Sequence, residues 1–308
     1  MLSYNYQRSR FSKLCLSAIT LLSTVLTTQI ATAETVMEKV ARTGILTAGT
    51  SKDAIPFAYA DPEGKLVGYS VDMLSLIQQQ LEKELGREIE LKLVALQPQE
   101  RIPQLVNNNV DIVCDASSFT WKRDQKIDFS VSYGITGTRL LVRQKDYLSI
   151  SQSLVGKRIG VLPGTTNELA IKQAEPGAEI VIIRDRAEGY AALEKGEIDA
   201  FAGDGILLES WLQTINNSED FTIAGYYSQE GIACMVPENN SQLLNNVNYS
   251  LIRFMQGFLA EKPQAVTLFD SWFGYQGIVP LTEHLRDLML ENMQLIVDFK
   301  EEIPAQEL

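Results

Sequence analysis

In the stretch SSFTWKRDQKIDFS, Ser117 to Ser130, one arginine follows a run of hydroxyl residues in a chain with a clear acidic excess. A guanidinium offers a planar fork that grips a carboxylate through two parallel bonds, which lysine cannot do. Arg123 is therefore either one charge in a solvated basic run or the clamp for a small anion. Two other stretches carry complementary chemistry. PGTTNELA places Thr165 and Thr166 at a helix start, where backbone N–H groups face an incoming anion and Gly164 permits a tight turn. Asp204 follows the apolar run AFAG, and with the Ser118 hydroxyl and the Ala116 carbonyl it offers acceptors to an ammonium, which cannot be buried without them. Each piece also has a plain structural reading, Thr165 or Thr166 as a helix cap and Asp204 as the cap of the helix after it. Together they suit a cleft for a small anionic or zwitterionic molecule.

The elements that must position these residues alternate between strand and helix. GILTAGT (44–50) and EIELKLVAL (88–96) read as strands, and between them Leu74, Ile77, Leu81 and Leu85 recur at helical spacing until Gly86. RIPQLVNNN (101–109) reads as a short helix, VDIVCD (110–115) as a strand, and RLLVRQ (139–144) as another. A second series runs from KRIGVLPG through TTNELAIKQA, AEIVIIRD, GYAALEKG, IDAFAGD and ILLESWLQTI to FTIAGYY. GIACMVP (231–237) is a strand, a long amphipathic helix follows over 243–259, and the tail reads as helical through LRDLMLENMQLIVDF. Such alternation with short connections predicts an α/β class with mostly parallel sheets. Ligands bind such sheets beyond the carboxyl ends of strands, here at Asp115 to Ser118, Pro163 to Asn167, and Gly203-Asp204.

Composition narrows the function classes. Arg8, Arg10 and Lys13 precede the mostly apolar Leu14 to Leu26, and Ala31-Thr32-Ala33 has the small-x-small form of a cleavage site. This is the layout of a secretory signal peptide with cleavage after Ala33, and the apolar run is too short to span a bilayer. Removing residues 1–33 takes away three basic and no acidic residues, leaving 24 against 39 and a formal charge of −15. Phosphate neutralisation needs clustered Lys and Arg, so this acidity argues against a nucleic-acid partner. Cys114 and Cys234 remain, either bridged in an oxidising compartment or buried as free thiols. No metal-ligand cluster, phosphate loop or nucleophile–base spacing is present, and no cofactor is expected.

In order along the chain, GYSVDMLSLI (68–77), RIPQLVNNNVDIVCDASS, the Arg123 to Ser130 spacing, GTRLL (137–141), PGTT (163–166) and FDSWFG (269–274) resemble the periplasmic polar-amino-acid binding proteins of ABC uptake systems, family 3. RIP, the strand cysteine, GTRLL and GIACM make the chain most similar to the glutamate/aspartate-binding branch. The resemblance implies a two-lobed periplasmic binding protein type II fold joined by two hinge strands, with residues 34–142 plus 232–308 as lobe 1 and 143–231 as lobe 2. It places Cys114 and Cys234 side by side, which favours a disulfide. It implies a monomeric, non-enzymatic periplasmic receptor for a free polar or acidic L-amino acid, working with the membrane permease of an ABC importer.

Carried over residue by residue, the resemblance makes Arg123 the holder of the ligand α-carboxylate, with Thr166 as a backbone donor beside it. Ser118, Asp204 and the carbonyl of Ala116 match the ammonium partners, and Arg101 faces the ligand side chain. Ser51 departs from the branch, where a second arginine stands; Pro98 replaces a serine and Arg186 a histidine. Arg186 compensates for position 51 only if it reaches the cleft, and otherwise glutamine or asparagine competes with glutamate and aspartate. Arg139 is expected at a hinge and Asp72 in a structural role. Two other classes stay open: a dehydratase-type enzyme on the same fold, which needs a general acid, and an extracytoplasmic ligand sensor.

Overall fold

The computed structural model describes residues 34–147, 152–300 and 302–308, so the expected signal peptide over 1–33 lies outside the described residues. Residues 34–308 form one compact unit. Strands are numbered along the chain. In its first part are β1 (Ile45–Thr50), β2 (Asp53–Ala54), β3 (Ala58–Ala60), β4 (Leu66–Val67), β5 (Glu90–Ala95), β6 (Ile112–Val113) and β7 (Ile127–Thr136). Next come β8 (Thr138–Arg143), β9 (Arg158–Val161), β10 (Glu179–Ile182), β11 (Ala200–Asp204), β12 (Phe221–Ala224) and β13 (Glu230–Pro237). They build one sheet ordered β5-β1-β6-β13-β7, a second ordered β10-β9-β11-β8-β12, and a small antiparallel sheet β2-β3-β4.

Parallel pairing covers only half of each large sheet. β1 runs parallel to β5 and β6, and β9 to β10 and β11. β13 and β8, which enter as the chain crosses between sheets, pair antiparallel with their neighbours. The reason is topological: a parallel neighbour needs a crossover helix back to the same edge, whereas a strand arriving from the other sheet has no such constraint.

The outward crossing lies at Gly137, between β7 and β8. A Cβ there would sit 2.0 Å from the Ser228 carbonyl oxygen, so the outgoing and returning segments touch where only glycine fits. The boundary expected after residue 142 thus falls inside β8, an interior strand of the second sheet from Thr138 onward. Its apolar run gives no compositional break to mark the crossing. Arg139 stacks on the Tyr226 ring at 3.6 Å, tying β8 to the returning segment.

Helices cover both faces of the first sheet. The helical spacing of Leu74, Ile77 and Leu81 becomes the buried stripe of α2 (Tyr69–Leu85), ended by left-handed Gly86. Before it come α1 (Val36–Thr43) and after it α3 (Arg101–Val106) and the single turn α4 (Trp121–Asp124). The second sheet is flanked by α5 (Thr166–Ala174), α6 (Arg186–Lys195) and α7 (Gly205–Thr214). α8 (Ser241–Leu259), α9 (Pro263–Phe273) and α10 (Glu283–Asp298) return to the first sheet, where Phe269, Phe273, Met289 and Met293 enter its core. Asp72 accepts a 2.6 Å hydrogen bond from Trp272 Nε1, so its place is structural, holding α2 to α9.

Cys114 and Cys234 are bridged, with Cα atoms 4.3 Å apart and 120 residues of separation. Constraining so long a loop in the unfolded chain contributes about 4–5 kcal/mol in the chain-entropy model. The double change Cys114→Ser/Cys234→Ser should therefore lower the unfolding midpoint by on the order of 10 °C in calorimetry. An unchanged midpoint would show that the bridge contributes nothing.

Candidate ligand-binding site

The strand ends singled out above meet where the two large sheets face each other. Arg123 lies on α4, which Thr120 caps by accepting from the Arg123 backbone N–H at 3.1 Å. Its guanidinium donates to the Ser118 carbonyl at 2.6 Å and, across the gap, to the Gly164 carbonyl at 3.0 Å. Burial lowers its pKa first, and the neighbouring Arg101 adds to this; the Glu230 and Asp204 carboxylates oppose both. Arg123 makes no ion pair with a carboxylate among the described residues. A charge so placed suits an anion from outside the chain.

Arg101 opens α3 and is only 5 % exposed. One terminal nitrogen donates to the Ala116 carbonyl at 3.2 Å and to Ser117 Oγ at 2.9 Å. The other donates to Ser51 Oγ at 2.9 Å and stands 2.7 Å from Asp115 Oδ2. Ser51, Ala116 and Arg101 are thus together, joined by a carboxylate to which the sequence reading gave no role. Arg186, at the first turn of α6, does reach the gap between the sheets. It donates to Asp53 Oδ1 of β2 at 2.7 Å. Burial is the largest influence and disfavours its charge, but Asp53, Tyr190, Asp115 and Asp204 together outweigh it and its pKa is raised.

Asp204 ends β11 and stands at the N-cap position of α7, yet its side chain caps nothing. It is buried, and its pKa is pushed up to about 7, first by burial and then by Glu230, with Arg186 and Arg101 pulling the other way. Glu230, at the start of β13, accepts from Thr138 Oγ1 at 3.3 Å and from Ser228 Oγ, while its Oε2 is buried without a partner. Thr165 behaves as a cap: its hydroxyl accepts from the Glu168 N–H at 3.1 Å and donates to the Leu162 carbonyl at 2.8 Å. Thr166 follows as the first residue of α5.

A cavity of about 530 Å³ lies at this junction, lined by Arg101, Ser117, Arg123, Gly164, Thr165 and Thr166. A smaller recess of about 20 Å³ shares Thr165 and adds Asn167, Arg186 and Asp204. The Asn167 side-chain oxygen is buried and unpartnered. Asp53 and Glu230 escaped the sequence reading, which also gave Asn167 no role of its own. Asn167 and Asp115 lay in flagged strand-end segments, but nothing local marks Asp53 or Glu230.

Several known proteins are similar to this chain in sequence or in architecture. The chain is 28 % identical over 243 residues to the glutamate/aspartate import solute-binding protein of Salmonella typhimurium, covering 77 % of this chain and 79 % of the relative. The L-glutamate/L-aspartate-binding protein of Pseudomonas aeruginosa is 29 % identical over 268 residues, covering 85 % and 87 %. A solved structure of a mutant of ArgBP from T. maritima superposes with a TM-score of 0.67 at 25 % identity, covering 77 % of this chain and 98 % of that one. The two sheets with their crossings are thus a periplasmic binding protein type II fold. The family model for bacterial extracellular solute-binding proteins, family 3, matches residues 46–275, most of the described chain, and the protein belongs to that family.

Proposed function

We propose that the protein is the substrate-binding receptor of an ABC amino-acid importer, taking a free L-amino acid between two lobes and passing it to a membrane permease. The observation that carries this is a pair of opposite charges left over at the cleft. Arg123 faces only backbone carbonyls, and the Asp204 carboxylate has no side-chain hydrogen bond that caps its helix. An α-carboxylate and an α-ammonium complete both. The lobes are the parts around the first and second sheets, hinged at Gly137 and at the return over residues 225–229, a few residues from the limits expected from sequence. Function is binding and hinge closure, with the closed state favoured by its higher affinity for ligand. The working form is a periplasmic monomer lacking residues 1–33, and no covalent step is proposed.

The range of ligands is glutamate, aspartate and their amides, supported by the names of the relatives and by the polar lining. Thermal unfolding in the presence of each of the twenty amino acids tests the reading. A ligand at 100 times its Kd stabilises by about 2.7 kcal/mol and raises the midpoint by several degrees. A midpoint that moves with none of them, or turnover of a hydroxylated cyclohexadienyl acid, would overturn the receptor reading.

A further inference from the structure

We infer that Asp115 sets the side-chain class of the ligand: by occupying Arg101 it makes the side-chain subsite electrically neutral, and the site selects an amide, glutamine or asparagine, over the corresponding acid. This rests on the receptor reading above.

The inference begins from pairing. Both guanidiniums available to a ligand side chain already hold a carboxylate. Arg101 stands 2.7 Å from Asp115, the two being 5 % and 0 % exposed, and Arg186 stands 2.7 Å from Asp53. Arg123 and Asp204 match the zwitterion. Among the described residues lining the cavity no buried cation is then left for a third ligand charge: Lys122, Lys126 and Lys172 also line it but are exposed, and Lys172 already pairs with Glu168 at 2.6 Å. The unpartnered Glu230 Oε2 is a further buried acceptor that disfavours ionised Asp204. A side-chain carboxylate would enter against Asp115, Asp204 and Glu230 with its desolvation uncompensated.

The second observation concerns single atoms. Arg101 Nε is a buried donor without an acceptor, and Asp115 Oδ2, though close to the guanidinium, is a buried acceptor without a properly directed donor. An amide carries what both lack: its carbonyl oxygen accepts from Nε, and its N–H donates to Oδ2. A carboxylate serves the first atom and repels the second. Buried polar atoms left unpaired are the strongest source of discrimination between near-isosteric ligands.

The acid has one way in, as its protonated form, which offers an O–H to Oδ2. A glutamate side chain with its ordinary pKa near 4.3 is protonated in only about one molecule in 500 at pH 7. The amide should therefore bind on the order of 100-fold more tightly than the acid at pH 7. The ratio of the two affinities should shrink by about tenfold for each unit of pH below 7. Taking the ratio cancels the titration of Asp204, and the other charged groups around Asp115, namely Arg101 and Arg186, act on both ligands alike.

Isothermal titration of the processed chain with L-glutamine, L-asparagine, L-glutamate, L-aspartate and L-arginine at pH 7 and pH 5 tests this. Amides ahead of acids at pH 7, with the gap closing at pH 5, is the expected result. In Asp115→Asn, Arg101 regains an unpaired charge and the order should invert in favour of glutamate. If that variant does not fold, the wild-type ratio and its pH dependence decide alone. Glutamate or aspartate equal to or tighter than its amide at pH 7, or arginine tightest of all, overturns the inference while leaving the receptor intact. If none of the five binds, the inference falls, and a thermal-unfolding screen in which none of the twenty amino acids moves the midpoint overturns the receptor reading as well.

Discussion

Arg123→Ala should abolish ligand binding in calorimetry at concentrations that saturate the wild type, a loss of at least about 100-fold. The guanidinium bonds only to the Ser118 and Gly164 carbonyls, at 2.6 and 3.0 Å, and has neighbouring positive charge from Arg101 working against it. A ligand carboxylate relieves that position and gains charge-assisted bonds in return. Truncation leaves the carboxylate buried without its counter-charge, which costs about 3–5 kcal/mol, or two to nearly four powers of ten in Kd. Arg123→Lys keeps the charge but not the fork, so its affinity should fall between the two. The fold should survive in both, because α4 is a single surface turn held by the Thr120 cap through backbone atoms. Affinity within a few-fold of wild type in Arg123→Ala would remove this residue from the site.

The setting of Arg123 was legible in the sequence because it is local. Hydroxyls, helix-start threonines and a strand-end aspartate are each marked by neighbours within a few residues. The long helix α8 and the buried stripe of α2 were legible for the same reason, since periodicity over several turns is a property of the segment itself. Legibility ended where meaning depends on a distant partner. Asp53 lies 133 residues from Arg186, and nothing around it in DAIPFAYA announces an ion pair. Asp115 was visible as a strand-end residue, yet its meaning appears only once α3 delivers Arg101 to that strand end. Arg101 and Arg186 thus occupy the expected region with a different electrical state from that of free cations. The crossing at Gly137 was blurred because β7 and β8 are separated by one residue, with no loop-like stretch between them. β7 itself, ten residues long, registered only as a motif spacing rather than as the strand that borders β13.

Asp204→Asn separates the cost of the site from its benefit, because it should weaken binding and stabilise the ligand-free protein at once. The folded pKa of Asp204, about 7, lies above its ordinary value near 3.8, with burial the main cause and Glu230 the second. The folded state therefore holds a proton that the unfolded state has lost between those two values, and stability falls as pH rises through that window. Above pH 7 the native protein carries an ionised carboxylate at a place that disfavours it, so the neutral asparagine should unfold at a higher temperature than wild type at pH 8. Ligand reverses the balance, since its ammonium favours the ionised form. Below pH 7 binding must expel a proton, and wild-type affinity for a neutral ligand such as glutamine should fall by about tenfold per unit of pH down to 5. About half a proton should leave on binding at pH 7, read by titration calorimetry in buffers of different ionisation enthalpy. Asp204→Asn should bind on the order of 100-fold more weakly than wild type at pH 8 and release no proton, with the two proteins converging at pH 5. A variant that keeps the proton release would assign the titration to Glu230, and one that keeps the affinity would take Asp204 out of contact with the ammonium.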